Sequence, residues 1–274
     1  SYLAPIMAVI YVFSSILVLI YHSDKIGDSF GLIFNGVFNP KATIIGAGGG
    51  AVMTMLNTML MGIKRGLYSN EAGQGSAAIA HSAAKTNFPV REGAVAMLGP
   101  YIDTIIICTL TGLVILCTGA WQHTEYFVSI SAASINEFNQ SISQNNFRGI
   151  ELINGSLLTS FAFKNGLSWI FSFGDKIITL SVLLFATSTA ISWSFYGDRA
   201  TEYLFGEKAI YWYRLVYIFF VFIGANASIE AVWAFGDAAL GFMTFPNLIS
   251  IIFLTSALKK MTGKYFKDDY ESKG

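Results

Sequence analysis

One short polar stretch, enclosed by apolar sequence, carries most of the side chains in this chain that could do chemistry. Residues 64–76 read Lys-Arg-Gly-Leu-Tyr-Ser-Asn-Glu-Ala-Gly-Gln-Gly-Ser, and contain three charges, four small polar or amide side chains and three glycines. Unpaired backbone groups are costly in lipid, so a segment of this kind must be buried in protein or line a watery cavity. The pattern predicts a broken membrane helix, the kind of element that forms substrate and ion sites in secondary transporters.

Two acidic residues need a partner if their surroundings are membrane. Glu71 lies among glycines and amides, and Asp103 lies in an apolar run. An ionised carboxylate at the bilayer centre costs about 2.5–3.5 kcal/mol or more, so each should face protein or water. Lys64 or Arg65 could pair with Glu71, either within a mechanism or as an ion pair that only orders the break. For Asp103 we expect a pair with a nearby basic residue rather than titration in a proton-coupled cycle.

A second polar cluster interrupts the apolar run 177–196. Thr187, Ser188 and Thr189 bring three hydroxyls in succession. Hydroxyl oxygens suit a small hard cation, but such groups also commonly bond back to carbonyls one turn earlier in their own helix. Thr189 and Trp193 are four residues apart and share a helix face. They could bound a pocket for a side chain as small as a methyl group, or they could simply pack.

The composition indicates that these clusters sit in a membrane protein. Of 274 residues, 54% are hydrophobic and 12% are charged, whereas soluble domains carry about 25% charged residues. The 17 basic and 17 acidic residues balance, which argues against nucleic-acid binding. The expected surrounding partner is the lipid bilayer.

Six apolar runs could cross that bilayer, since about 20 helical residues span its hydrocarbon core. They are 2–21, 42–63, 93–119, 177–196, 209–224 and 229–258. The second run enters the polar break and resumes near 76–84. The sixth is interpreted as one span kinked at Pro246, with a tight re-entrant pair as the alternative.

Between the runs, the sequence predicts a loop at 22–41 with an interfacial helix at 30–38, a long amide-rich loop at 121–166 and a charged turn at 197–208. Basic residues concentrate on the side that would be cytoplasmic if the first run enters from the cytoplasm. Residues 1–274 are therefore expected to be one transmembrane domain ending in a polar cytoplasmic tail, 259–274.

Several motifs resemble one transporter family. Residues 65–76 with Ala80-His81 are similar to the signature of the sodium:alanine/glycine symporter family, and further islands follow in the family's order at 101–104, 108–109, 188–189 with Trp193, 203–206 and 246–248. The resemblance implies an all-α fold of five-plus-five inverted repeats, of which this chain would hold the last six spans. A first, N-terminal half would then be missing.

The resemblance also implies roles for residues. A small neutral amino acid, alanine or glycine, would be bound by Tyr68, Ser69, Asn70, Gly73, Gly75, Thr189 and Trp193. Sodium, the coupling ion, would be bound by Thr187 and Ser188, with Glu71 and Asp103 in charge or gating roles. The protein would be a multi-pass plasma-membrane symporter, not an enzyme, without an organic cofactor. As an alternative to substrate binding, the break could form a cap on the cytoplasmic side, below the substrate site.

Other function classes stay open. A proton-coupled permease of the same fold for another small amino acid fits the same pattern. A channel or a non-transporting scaffold would keep the spans but would not need a compact polar break facing a hydroxyl turn. An intramembrane hydrolase would need a metal-binding or nucleophile motif, and no His-Glu-x-x-His or Gly-x-Ser-x-Gly sequence is present.

Overall fold

The computed structural model describes residues 3–38, 51–122 and 155–271, and every regular element in these ranges is helical. The main helices are α1 (Leu3–Tyr21), α2 (Ile26–Phe38), α3 (Ala51–Asn70), α4 (Ser76–His81), α5 (Pro89–Ala96), a π-helix (Tyr101–Cys108), α6 (Thr109–Cys117), α7 (Gly155–Gly166), α8 (Gly174–Phe205), α9 (Ala209–Asn226) and α10 (Ile229–Glu271).

Within the residues that the structure describes, four helical stretches are long and apolar enough to cross a membrane. They are Pro89–Cys117, Gly174–Phe205, Ala209–Asn226 and Ala231–Lys267. A further pair, Pro5–Tyr21 and Ser23–Gly36, passes the same test together but bends by 81° between its members. The predicted all-α membrane class is therefore confirmed. The glycines at 46–50, and residues 123–154 of the amide-rich stretch 121–166, lie outside the described residues.

The chain divides into two compact units, the first drawn from Ser1–Met55 and Ile107–Ser188. Its core lies between α1, α6 and α7, where the side chains of Val18, Val114 and Phe163 are fully buried. The Tyr11 and Thr111 hydroxyls, 2.5 Å apart, link α1 to α6. The sequence prediction of a loop over 121–166 was wrong for 155–166. That stretch is helix α7, stabilised by the burial of its apolar centre in this core.

The second unit comprises Leu56–Ile106 and Thr189–Gly274. Here α10 is a single helix with Pro246 inside it, which confirms the one-span interpretation of 229–258. The predicted turn at 197–208 was wrong for 197–205, because α8 continues to Phe205. The charged residues of this stretch have helical partners: Arg199 pairs with Glu202 at 2.7 Å, and Asp198 pairs with Arg214 of α9 at 2.7 Å.

Candidate functional site

The predicted break exists, but it is shorter than the sequence suggested. Helix α3 continues through Asn70 and α4 begins at Ser76, so the irregular backbone is confined to residues 71–75. Three of these five residues are left-handed: Glu71 with φ of 54°, Gly73 with 76° and Gly75 with 86°. Glycine adopts this region freely, but a residue with a side chain is strained there by about 1–2 kcal/mol. Strain of this kind concentrates at functional sites.

Two amide side chains close the break locally. The Asn70 Oδ1 accepts a hydrogen bond from the Ala72 N–H at 2.9 Å. The Gln74 Nε2 donates to the Leu67 carbonyl at 2.7 Å, which satisfies one of the carbonyls that every helix end leaves unpaired. The break is therefore an ordered turn whose polar side chains bond to its own backbone.

Buried oxygen atoms in the break remain available for another molecule. Gln74 is 4% exposed and Ser76 is 1% exposed. The Gln74 Oε1 and the Ser76 Oγ have no hydrogen-bond partner among the described residues. A buried polar atom without a partner costs about 1–3 kcal/mol, so such atoms normally bond to a ligand or to water. Gln74 was given no role from the sequence, although it lies inside the motif 65–76.

A π-helix brings two more polar side chains to the end of α3. Such helices are rare and often occur at functional sites; this one covers Tyr101–Cys108. The Ser69 hydroxyl donates a hydrogen bond to the Asp103 carboxylate. The Asn70 Nδ2 donates to the Thr104 Oγ1 at 3.2 Å. Within the described residues, the carboxylate of Asp103 thus bonds to a hydroxyl rather than to the basic residue that we expected.

The basic residues before the break belong to α3 and contact α10. The Lys64 Nζ lies 2.8 Å from the Asp237 Oδ2, and the Arg65 guanidinium lies 3.6 Å from the centroid of the Trp233 ring. These partners hold residues 64–70 in the helix. The expectation that Lys64 or Arg65 pairs with Glu71 was wrong, because Lys64 pairs with Asp237 and Arg65 lies over the Trp233 ring.

Glu71 itself has no basic side chain within ion-pair distance in the part of the chain that the structure describes. Its carboxylate lies within electrostatic range of the Tyr196 hydroxyl on α8. The ring of Tyr196 in turn meets the half-buried Trp193 edge-on, with centroids 5.7 Å apart. Trp193 therefore packs against Tyr196, whereas Thr189 is exposed.

The hydroxyl turn of α8 bonds to its own helix. The Thr187 hydroxyl donates to the Leu183 carbonyl at 2.7 Å, and the Ser188 hydroxyl donates to the Phe185 carbonyl at 3.0 Å. This is the back-bonding alternative raised above. A hydroxyl that donates its hydrogen still carries oxygen lone pairs, so the role of these residues in sodium binding stays a prediction.

Two further contacts, one between α4 and α5 and one between α10 and the break, were not predicted from the sequence. The His81 Nδ1 lies 2.6 Å from the Glu92 Oε1, which ties α4 to α5. The Asn247 Nδ2 of α10 donates to the Gly73 carbonyl at 2.8 Å. In the sequence, Asn247 belongs to the family-like island 246–248, and that island gave no indication of its partner.

The whole chain, residues 1–274, matches the sodium:alanine symporter family. It belongs to this family. It is 36% identical to a Haemophilus influenzae protein named an uncharacterized transporter, over 97% of this chain and 52% of that protein. It is 36% identical to the sodium/alanine symporter AgcS of Methanococcus maripaludis, over 95% of this chain and 50% of that protein. It is 33% identical to the sodium/proton-dependent alanine carrier protein of Bacillus sp. (strain PS3), over 91% of this chain and 52% of that protein.

Membership in this family, with several apolar helices, makes the chain a multi-pass plasma-membrane protein. The chain spans about half the length of the curated relatives it matches. The family match nevertheless covers all of residues 1–274. That match runs against the sequence expectation of a missing N-terminal half, which is withdrawn.

Proposed function

We propose that this protein is a secondary active transporter that carries a small neutral amino acid, alanine or glycine, into the cell together with sodium. The observation that carries the proposal is the ordered break at residues 71–75, with buried Gln74 and Ser76 oxygens that have no partner among the described residues. The names of two relatives, a sodium/alanine symporter and a sodium/proton-dependent alanine carrier, support the same substrate. The five-plus-five inverted-repeat fold is part of this proposal.

The substrate is proposed to lie at the break, against Tyr68, Ser69, Asn70, Gly73 and Gly75. The C-terminal end of α3 carries partial negative charge, which favours the ammonium group of an amino acid. Gly73 and Gly75 carry no side chain of their own, so a bound molecule can approach the backbone closely at these positions. The backbone N–H groups of the break and the Ser76 hydroxyl are suited to the substrate carboxylate.

Trp193 and Thr189 are proposed to limit the size of the substrate side chain. The Trp193 indole is half-buried and packs against Tyr196, whose hydroxyl is within electrostatic range of Glu71 in the break. A large rigid ring at this place would leave room for hydrogen or a methyl group. The proposal therefore favours glycine and alanine over longer amino acids.

Sodium is proposed to bind the hydroxyl oxygens of Thr187 and Ser188. Their hydrogen bonds to the Leu183 and Phe185 carbonyls fix the rotation of each hydroxyl. Each hydrogen then points to its own helix, and the lone pairs point away from it. Oxygen ligands oriented in this way suit a small hard cation.

Proton coupling is the second candidate, because the Asp103 carboxylate contacts the end of the helix that precedes the break. Asp103 accepts a hydrogen bond from Ser69, in the last turn of α3. Protonation of Asp103 would weaken this bond and alter the end of the helix. An uptake experiment separates the two coupling ions.

The test is uptake of labelled alanine into membrane vesicles from cells that express the protein. An inward sodium gradient is compared with an inward choline gradient of the same size, and with a proton gradient in choline. We expect concentrative uptake that requires sodium and is inhibited by unlabelled glycine. Uptake driven equally by protons in choline would favour the second candidate, and no uptake above that of control vesicles would contradict both.

A further inference from the structure

Asn247 connects the long helix α10 to the irregular backbone of the break. Its Nδ2 donates a hydrogen bond of 2.8 Å to the Gly73 carbonyl. Its side chain also lies against Gly75, where an added Cβ would come within 3.1 Å of the Asn247 Oδ1. A single side chain therefore contacts both left-handed glycines of the break.

The surroundings of Gly73 come from the same helix face. A Cβ added at Gly73 would lie 3.7 Å from Leu248 and 3.9 Å from Thr244. Asn247 directly follows Pro246, which has no N–H and so removes one backbone bond within α10. Among the described residues of α10 next to Pro246, Asn247 is the one whose side chain bonds to the break.

The break needs such a contact because its own bonding is sparse. Irregular backbone lacks the repeating bonds of a helix, and glycine loses more conformational freedom on ordering than any other residue. Asn70 and Gln74 restrain the two flanks of the break. The Gly73 carbonyl at its centre is held by the Asn247 amide.

We infer that Asn247 is a positioning residue that holds the backbone of residues 73–75 in the geometry that binds substrate. This inference rests on the proposed function, and it extends the site to helix α10. Asn247 acts through Gly73 and Gly75 and does not itself contact the amino acid. In a variant that lacks the Asn247 amide, the break is not ordered before the substrate binds. Ordering it then costs part of the binding free energy, so the affinity for substrate falls.

The first test compares Asn247→Ala, Asn247→Asp and the parent in alanine uptake. Loss of this part-buried hydrogen bond should raise the half-saturating alanine concentration about tenfold, with a smaller change in the maximal rate. Asn247→Asp keeps the shape but places a carboxylate against the Gly73 carbonyl, so it should be impaired at least as much. Thr255→Ala is the matched control, since the Thr255 hydroxyl donates to the Ile251 carbonyl of its own helix and, among the described residues, makes no bond to the break. Parent-like uptake by the Asp variant would overturn the inference.

A double-mutant cycle tests the contact with Gly75. Gly75→Ala places a methyl group against the Asn247 amide and adds strain at a positive φ. In an Asn247→Ala background, only the strain should remain, so the same change should raise the half-saturating alanine concentration by a smaller factor. Equal factors in the two backgrounds would count against a direct contact.

A labelling experiment separates this inference from the proposed function, because it needs no substrate. Ala72 is exposed within the break, so Ala72→Cys should react with a maleimide. The protein without this substitution measures the labelling of the native cysteines and serves as the blank. Asn247→Ala should increase the rate of labelling severalfold, and Thr255→Ala should not. An unchanged rate would overturn the inference even if alanine is transported. Faster labelling without any sodium-dependent alanine uptake would support the positioning role of Asn247 and contradict only the proposed function.

Discussion

Glu71 combines two unfavourable features at one position. Its φ of 54° is strained for a residue with a side chain, and its carboxylate has no basic partner within ion-pair distance in the described ranges. Together these features make Glu71 a candidate for a role in transport. We expect Glu71→Gln to lower the maximal rate of alanine uptake at least tenfold, because an amide keeps the shape but loses the charge. The measurement is initial uptake rate at saturating alanine.

Folding should hardly change in the same variant. The midpoint of thermal unfolding of the purified protein should stay near that of the parent, since the backbone strain is the same for Glu and Gln. Glu207→Gln, in the turn before α9, is the control for removing one acidic charge from an exposed position. Normal uptake in Glu71→Gln would remove Glu71 from the mechanism, and a large fall in the unfolding midpoint would make its role structural.

Trp193 is the residue for which size selection can be tested. Trp193→Ala removes an indole that packs against Tyr196, and the freed space should admit larger neutral amino acids such as valine or leucine. The measurement is inhibition of alanine uptake by a series of unlabelled amino acids. Trp212→Ala is the control, because Trp212 is 68% exposed on α9. An unchanged substrate range in an active Trp193 variant would mean that the ring serves packing only.

At the residue scale, sequence reasoning located the break but not its contacts. The glycines and amides of 69–75 predicted irregular polar backbone, because those residue types leave few alternatives in an apolar run. The partners Asp103, Asp237 and Asn247 could not be derived, since they are 34, 173 and 174 residues away from the groups they contact. Such pairs depend on which helix faces meet, and helical periodicity does not contain that information.

At the element scale, α8 and α9 are joined by polar contacts. Arg214 makes two hydrogen bonds of 3.2 Å and one of 2.7 Å to the Asp198 carboxylate, whose side chain is only 6% exposed. The Tyr217 hydroxyl donates to the Ala190 carbonyl at 2.8 Å, one residue after the hydroxyl turn. This hairpin therefore fixes the part of α8 that carries Trp193.

Breaking this ion pair should reduce stability. Arg214→Gln leaves the buried Asp198 carboxylate without its charged partner, so we expect a lower free energy of unfolding and a lower thermal midpoint than in the parent. The measurement is the thermal midpoint in detergent or, for a free energy, denaturant unfolding. Arg199→Gln is the matched control, because its pair with Glu202 is exposed and such pairs contribute about 0–1 kcal/mol. Equal effects of the two substitutions would contradict a structural role for the Arg214–Asp198 pair.

The helices themselves were predictable where apolar runs are long and uniform. The single helix α10 and the span Pro89–Cys117 follow from hydropathy alone. Residues 197–205 were not recognised as helix, because their charges resemble a turn until their partners are known. Helix α7 was missed because only its central Phe161, Ala162 and Phe163 are apolar and buried, a pattern too short to distinguish from a loop.

For the molecule as a whole, sodium-coupled transport requires that sodium and the amino acid bind cooperatively. If sodium favours the state that binds alanine, alanine must favour sodium binding by the same factor, because coupling between two ligands is reciprocal. Ser188→Ala should therefore weaken both. Thr179→Ala is the matched control on the same helix, since the Thr179 hydroxyl bonds back to the Asp175 carbonyl at 3.0 Å.

The most direct test is equilibrium binding of labelled alanine to the purified protein as sodium replaces choline at constant ionic strength. Alanine affinity should rise at least tenfold with sodium in the parent and in Thr179→Ala. The half-saturating sodium concentration should increase severalfold in Ser188→Ala. An alanine affinity that is the same in sodium and in choline would contradict sodium-coupled transport, and an unchanged sodium requirement in Ser188→Ala would remove the hydroxyl turn from the sodium site.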